Sequence, residues 1–216
     1  MRQIQPDLWE TDAESPFPGL TTHAYLLTHV DGNVLFYNTG HQHEIDSLAE
    51  LGGVALHFLS HRDELGESIN QIAERFGARL GAHLLEREDV SRVRRPDILF
   101  EAREIRHGRI EVIPTPGHSP GSTCFLVHAA GGRQYLFTGD TLYLAGEDTW
   151  KPGLLPGSDG PTLRESLMVL RELAPDLVMS SAFAGEAGFR EIPAGEWPLH
   201  VDAALARLDR ALGEAS

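Results

Sequence analysis

Apolar residues along this chain follow two rhythms, one of period two and one of helical period, and the two alternate. Thr22-His-Ala-Tyr-Leu-Leu-Thr28 and Val34-Leu-Phe-Tyr37 read as strands flanking Asp31-Gly-Asn33, a turn whose residues tolerate left-handed dihedrals, so the pair predicts a hairpin. Ile45, Leu48 and Leu51 then recur at helical spacing up to Gly52-Gly53, and residues 54–59 predict a strand. From Asp63 onward Leu65, Ile69, Ile72, Ala73 and Phe76 make one apolar stripe, predicting a helix that opens near Asp63 and stops at Gly77. Residues 79–83, 110–113, 122–127 and 134–138 predict strands, the last two joined by the turn Ala129-Ala-Gly-Gly132. Pro161 opens a helix carrying Leu163, Leu167, Leu170 and Leu173, as proline suits a first helical turn. Residues 177–179 predict the last strand, and Trp197, Val201, Leu205, Leu208 and Leu212 a terminal amphipathic helix. This interleaving predicts the α/β class, a mixed sheet covered by helices, and at 216 residues with no linker or repeat it predicts one domain over 1–216.

The formal net charge of −14 argues against nucleic acid and anionic membrane surfaces as partners, since both call for a basic face. No apolar run approaches the roughly 20 residues of a membrane span. The opening Met1-Arg-Gln-Ile-Gln-Pro lacks the apolar core of a secretory signal, so the cytoplasm is the expected compartment. The single cysteine, Cys124, lies in the apolar run Thr123-Cys-Phe-Leu-Val127 and reads as a small core residue. Nothing in the pattern fixes an oligomeric state.

Three loops that each follow an apolar run carry the candidate chemistry: Ser60-His-Arg-Asp-Glu64, Thr115-Pro-Gly-His-Ser-Pro-Gly121 and Thr138-Gly-Asp140. Loops leaving strand ends are where sites assemble in α/β sheets, so His61, His118 and Asp140 are expected to meet. Histidine with carboxylate suits Zn²⁺, Fe or Mn²⁺. His23, His41, His43 and His83 read as solvated or core-satisfied histidines instead.

In these segments, and in the same order, the chain resembles the metallo-β-lactamase superfamily, in particular its hydroxyacylglutathione hydrolase-like members. Tyr37-Asn-Thr-Gly40 resembles the family's Asp-Thr-Gly turn, Leu59-Ser-His61 its Leu-Thr-His, Thr115-Pro-Gly-His-Ser-Pro-Gly-Ser122 its third-histidine loop, and Phe137-Thr-Gly-Asp140 the strand ending in its bridging aspartate. The resemblance implies an αββα four-layer sandwich and hydrolysis by a metal-bound hydroxide. The central motif departs from the usual His-x-His-x-Asp-His. With Leu59-Ser-His61 aligned, Asp63 takes the second histidine's place and Leu65 and Gly66 replace the remaining two ligands. With Asp63-Glu-Leu-Gly66 aligned, Asp63 keeps its role and Glu64 replaces the last histidine. The segment Met179-Ser-Ser-Ala-Phe-Ala-Gly185 also lacks the histidine that the family places after its final strand.

These features imply a metal site of His61, Asp63, Glu64, His118 and Asp140, with Asp63 and Asp140 as the catalytic carboxylates. They imply one divalent metal per chain, zinc ahead of iron or manganese. Ser60 and Asp63 also fit a helix capping box, and acidic Glu64 and Glu67 suit a first helical turn. The expected activity is hydrolysis of a small ester, thioester or lactone. The alternative is a relative that has lost its metal and binds a small molecule, and a diiron redox role ranks third because it needs the missing ligands.

Overall fold

The structure, a computed structural model, describes residues 1–17, 20–146, 148–184 and 187–214; Gly185, the end of the histidine-free segment, lies outside them. The chain divides into two compact units, Met1–Phe100 and Glu101–Ser216.

The first unit contains β1 (Arg2–Gln5), β2 (Leu8–Glu10), β3 (Glu14–Phe17), β4 (Leu20–Thr22), β5 (Tyr25–Leu27) and β6 (Val34–Phe36), then α1 (Gln42–Glu50), β7 (Leu56–Phe58), α2 (Ser68–Phe76), β8 (Arg79–His83), α3 (Arg87–Val90) and β9 (Ile98–Phe100). Its seven-stranded sheet runs β1-β2-β5-β6-β7-β8-β9, while β3 and β4 pair with each other. The expected hairpin is β5–β6, in the register Tyr25↔Phe36, Leu26↔Leu35 and Leu27↔Val34. From β6 to β9 the pairing is parallel, with a helix in each crossover. β5 and β6 are apolar throughout because they are central strands covered on both faces: all six of their residues are buried.

The helix expected from Asp63 starts at Ser68 instead. Arg62–Glu64 forms a 3-10 turn and Leu65 is extended, with ψ at 137°. Leu65 joins the apolar stripe because it packs on the cluster of Leu59, Ile69, Leu80 and Val90, and its periodicity therefore reports packing while the backbone is not helical. At the other end Gly77 adopts φ 69° and closes α2 as expected.

The second unit contains β10 (Glu104–Arg106), β11 (Ile110–Pro114), β12 (Thr123–His128), β13 (Gln134–Gly139), β14 (Leu142–Ala145), β15 (Trp150–Pro152), α4 (Gly160–Arg171), β16 (Leu177–Ser180), β17 (Ala182–Ala184), β18 (Phe189–Glu191) and α5 (Trp197–Glu214). One sheet runs β10-β11-β12-β13-β16-β18, and β14 pairs with both β15 and β17. The strand at 177–179 is not the last, since β17 and β18 follow it. Both have only three residues, too few for an alternating pattern to register. The core joins Cys124, Leu126, Leu136 and Val178 of the sheet to Leu163, Leu167 and Leu170 of α4 and to Trp197, Val201 and Leu208 of α5. Trp197 fixes the helix pair by donating its indole N–H to the Leu170 carbonyl at 2.8 Å. Among the described residues no helix is long and apolar enough to cross a membrane.

Candidate metal centre

In the second unit the loop after β11 is bolted to the start of α4. Gly117 has φ 131°, and a Cβ there would run into the Leu163 backbone, so only glycine permits this approach. The Asp159 N–H donates to the Gly117 carbonyl at 2.8 Å, the Ser158 hydroxyl to the His118 carbonyl at 2.9 Å, and the Ser166 hydroxyl to the Pro116 carbonyl at 2.6 Å. Asp159 in turn caps α4 by accepting the Thr162 N–H.

The His118 side chain is buried, and its Nδ1 lies 2.7 Å from the Gly153 carbonyl oxygen. A carbonyl only accepts, so Nδ1 carries the hydrogen and Nε2 presents a lone pair. That Nε2 is 4.0 Å from Oδ2 of Asp140, whose other oxygen accepts the Ala182 N–H at 3.0 Å. A separation of 4.0 Å is just under twice a zinc–ligand bond of about 2.1 Å, so one divalent ion can touch both atoms. Gly153 completes the arrangement from a distance in sequence. A Cβ on it would overlap the Asp140 carbonyl oxygen and press on His118 Nδ1. The donor set therefore fits a metal: a neutral imidazole nitrogen, a carboxylate oxygen, and a backbone carbonyl holding the imidazole in the ligating tautomer.

In the first unit His61, Asp63 and Glu64 share one turn beyond β7. The turn is anchored by Asn38, whose amide donates to the Glu64 carbonyl at 3.1 Å and whose carbonyl accepts the Ser68 hydroxyl at 3.1 Å. Asn38 owes its position to Tyr37, a non-glycine residue at φ 65°. Such a conformation costs on the order of 1–3 kcal/mol, and here two hydrogen bonds hold it. Tyr37 donates its N–H to the Phe58 carbonyl at 3.0 Å and accepts the His57 ring N–H at 2.6 Å. Complete burial lowers the His57 pKa to about 4, so the ring is neutral at physiological pH.

His61 is buried and Asp63 is exposed. Glu64 turns its carboxylate back onto Ser60, with Oε1 paired to the hydroxyl and Oε2 accepting the backbone N–H at 2.9 Å. The capping bond expected from Asp63 thus comes from the next residue. The Ser60 hydroxyl also lies 2.8 Å from His61 Nδ1.

The four histidines read as solvated or core-satisfied have local partners. His23 is buried with Nδ1 2.8 Å from the Thr11 carbonyl, and burial lowers its pKa. His41 Nε2 is 3.4 Å from the Ala13 carbonyl, and His83 Nδ1 accepts the Leu85 N–H at 3.2 Å. His43 pairs with Asp12 at 3.0 Å, and the neighbouring Glu44 carboxylate is taken up by the Met1 ammonium at 2.9 Å and the Asp12 N–H.

Sequence reasoning missed three contributors, Gly153, the Ala182 N–H and Tyr143, and read Ser60 only as a capping residue. Burial, and behind it the Asp140 carboxylate, raises the Tyr143 phenol above its ordinary pKa, which marks it as a neighbour of that carboxylate. Its signal in the sequence was only its place three residues after Asp140.

The fold is that of the metallo-β-lactamases. A metallo-β-lactamase from Pontibacter korlensis superposes with a TM-score of 0.74 at 15% identity, covering 96% of this chain and 97% of that one. A metallo-β-lactamase family protein from Thermus thermophilus gives 0.70 at 19% identity, covering 98% and 82%. A Cronobacter sakazakii metallo-β-lactamase with a HARLDQ motif gives 0.68 at 18% identity, covering 94% and 95%. The metallo-β-lactamase superfamily model matches residues 53–179, a span that holds all five candidate ligands. This chain belongs to the metallo-β-lactamase superfamily, whose members are typically metal-dependent hydrolases. No curated protein matches it at a significant level.

Proposed function

We propose that the protein is a hydrolase of a small ester, thioester or lactone, dependent on one divalent metal, with zinc as the natural occupant. The observation that carries this reading is the His118–Asp140 pair, whose nitrogen and oxygen donors stand 4.0 Å apart with the imidazole tautomer set by Gly153. The family motif implies His61 and Asp63 as further ligands, while the Glu64 carboxylate is engaged by Ser60. When bound, the metal supplies the Lewis acidity that makes water a nucleophile at neutral pH. In this proposal Asp63, exposed beside His61, would take the proton of a bound water, while Asp140, fixed by the Ala182 N–H, would offer its other oxygen to the metal alongside His118 Nε2.

Leu65 and Gly66 offer no ligand side chain where the family motif has its later ligands, so the proposal holds one metal per chain. The net charge of −14 favours a small neutral or weakly charged acyl substrate over a polyanion. Elemental analysis of protein purified without added metal should find about one metal per chain, together with turnover on a panel of acyl substrates. Two metals per chain would overturn the mononuclear site. Absence of both metal and turnover would favour a relative that only binds a small molecule.

A further inference from the structure

Ser60, His61 and Glu64 form a hydrogen-bonded chain whose direction the geometry determines. As a carboxylate Glu64 can only accept, and both its oxygens are engaged: Oε2 by the Ser60 N–H at 2.9 Å and Oε1 by the Ser60 hydroxyl. The hydroxyl has a single hydrogen, and it goes to Glu64. Toward His61 Nδ1, 2.8 Å away, the same hydroxyl oxygen can then offer only a lone pair, so Nδ1 must carry the ring hydrogen. The side chains of His61 and Glu64 are 2% and 4% exposed, so water does not compete for these contacts, and Glu64 Oε1 lies 3.3 Å from Nδ1, reinforcing the same hydrogen placement.

We propose that Glu64 is a positioning residue: acting through the Ser60 hydroxyl, it fixes His61 as the Nδ1–H tautomer and thereby makes Nε2 the metal donor. His118 reaches the same tautomer through the Gly153 carbonyl, so each unit carries a histidine held ready by a different device. The inference rests on the metal-dependent reading above, but its first test needs no metal.

Glu64→Gln is the informative change because it preserves shape and reverses the chain. The amide carbonyl is required by the Ser60 N–H, which leaves the amide NH₂ facing the Ser60 hydroxyl. The hydroxyl then accepts from Gln and donates to His61 Nδ1, moving the ring hydrogen to Nε2, where a metal would bind. In metal-free protein carrying ¹⁵N-labelled histidine, with the His61 signals assigned by their loss in His61→Asn, wild type should show a pyrrole-type Nδ1 and a pyridine-type Nε2. In Glu64→Gln the two signal types should exchange, and Co²⁺ affinity, read from the visible absorption of the bound ion, should fall about 10- to 100-fold. Ser60→Ala should keep the wild-type tautomer, because the carboxylate already stands 3.3 Å from Nδ1. A hydrogen on Nε2 in wild type, or a Glu64→Gln variant unchanged in both tautomer and Co²⁺ affinity, overturns the proposal. If Glu64→Gln fails to fold, the wild-type and Ser60→Ala tautomers decide it. Tautomers as expected with no Co²⁺ bound to any variant would uphold the relay and count against the metal-dependent reading instead.

Discussion

His118→Ala should abolish metal-dependent turnover while leaving a folded protein. The loop that carries His118 is held by the Asp159 N–H, the Ser158 and Ser166 hydroxyls and the Ser119–Ser122 contact at 3.0 Å, none of which uses the imidazole. What the truncation removes is the donor to the Gly153 carbonyl, and an unsatisfied buried acceptor costs about 1–3 kcal/mol. The effect on chemistry is larger. A metal contributes several kcal/mol of charge stabilisation, and at 1.36 kcal/mol per tenfold its loss lowers the rate by about 10²–10⁴. The measurements are bound metal, thermal stability and turnover of the acyl panel, compared with wild type. A variant with metal and activity intact would show that His118 merely positions its loop.

Gly153→Ala should be nearly as damaging although no side chain of residue 153 enters the chemistry. The added methyl would overlap the Asp140 carbonyl oxygen, a backbone atom that cannot rotate away, so β15 or the Asp140 turn must shift. Overpacking of this kind costs about 1–3 kcal/mol, and the same shift withdraws the carbonyl that sets the His118 tautomer, for a further loss of about 10- to 100-fold in metal affinity. Gly213→Ala is the matched control. It lies in α5 with nothing near its added methyl, so there the substitution should stabilise by about 0.5–1 kcal/mol through helix propensity. Calorimetry and Co²⁺ titration of the two variants should therefore move in opposite directions for stability, with only Gly153→Ala losing metal. Unimpaired Co²⁺ binding by Gly153→Ala would mean that its carbonyl does not control His118.

The elements marked by an apolar run between turn residues or by a helical stripe were legible in the sequence: the β5–β6 hairpin, α1, α4, α5 and the strands β8, β11, β12 and β13 all fall where the apolar pattern put them. The failures have physical causes. Leu65 looked helical because burial alone gives it the right phase, whereas its backbone is extended. The short strands β14, β15, β17 and β18 have three or four residues each, too few to establish alternation, and β17 pairs with β14 some forty residues earlier. The same division runs through the candidate site. His118 and Asp140 stood out because each follows a strand in a recognisable motif. The groups that set their geometry, the Gly153 carbonyl and the Ala182 N–H, are backbone atoms, and a sequence letter carries no sign of what its main chain will do. Glu64 was visible as an acidic residue in a turn, but its engagement of Ser60 depends on a 3-10 turn that neither the helical stripe nor the family motif announces.

Cys124 is the second residue of β12, fully buried, with burial pushing the pKa of its thiol up to about 12. Because it is the chain's only cysteine, the native protein is closed to alkylating and disulfide-forming reagents at neutral pH, where a nucleophilic thiolate is required. Thiol labelling is therefore a clock for the exposure of β12. The labelling rate under native conditions counts how often the β-sheet that carries the His118 loop and Asp140 comes apart.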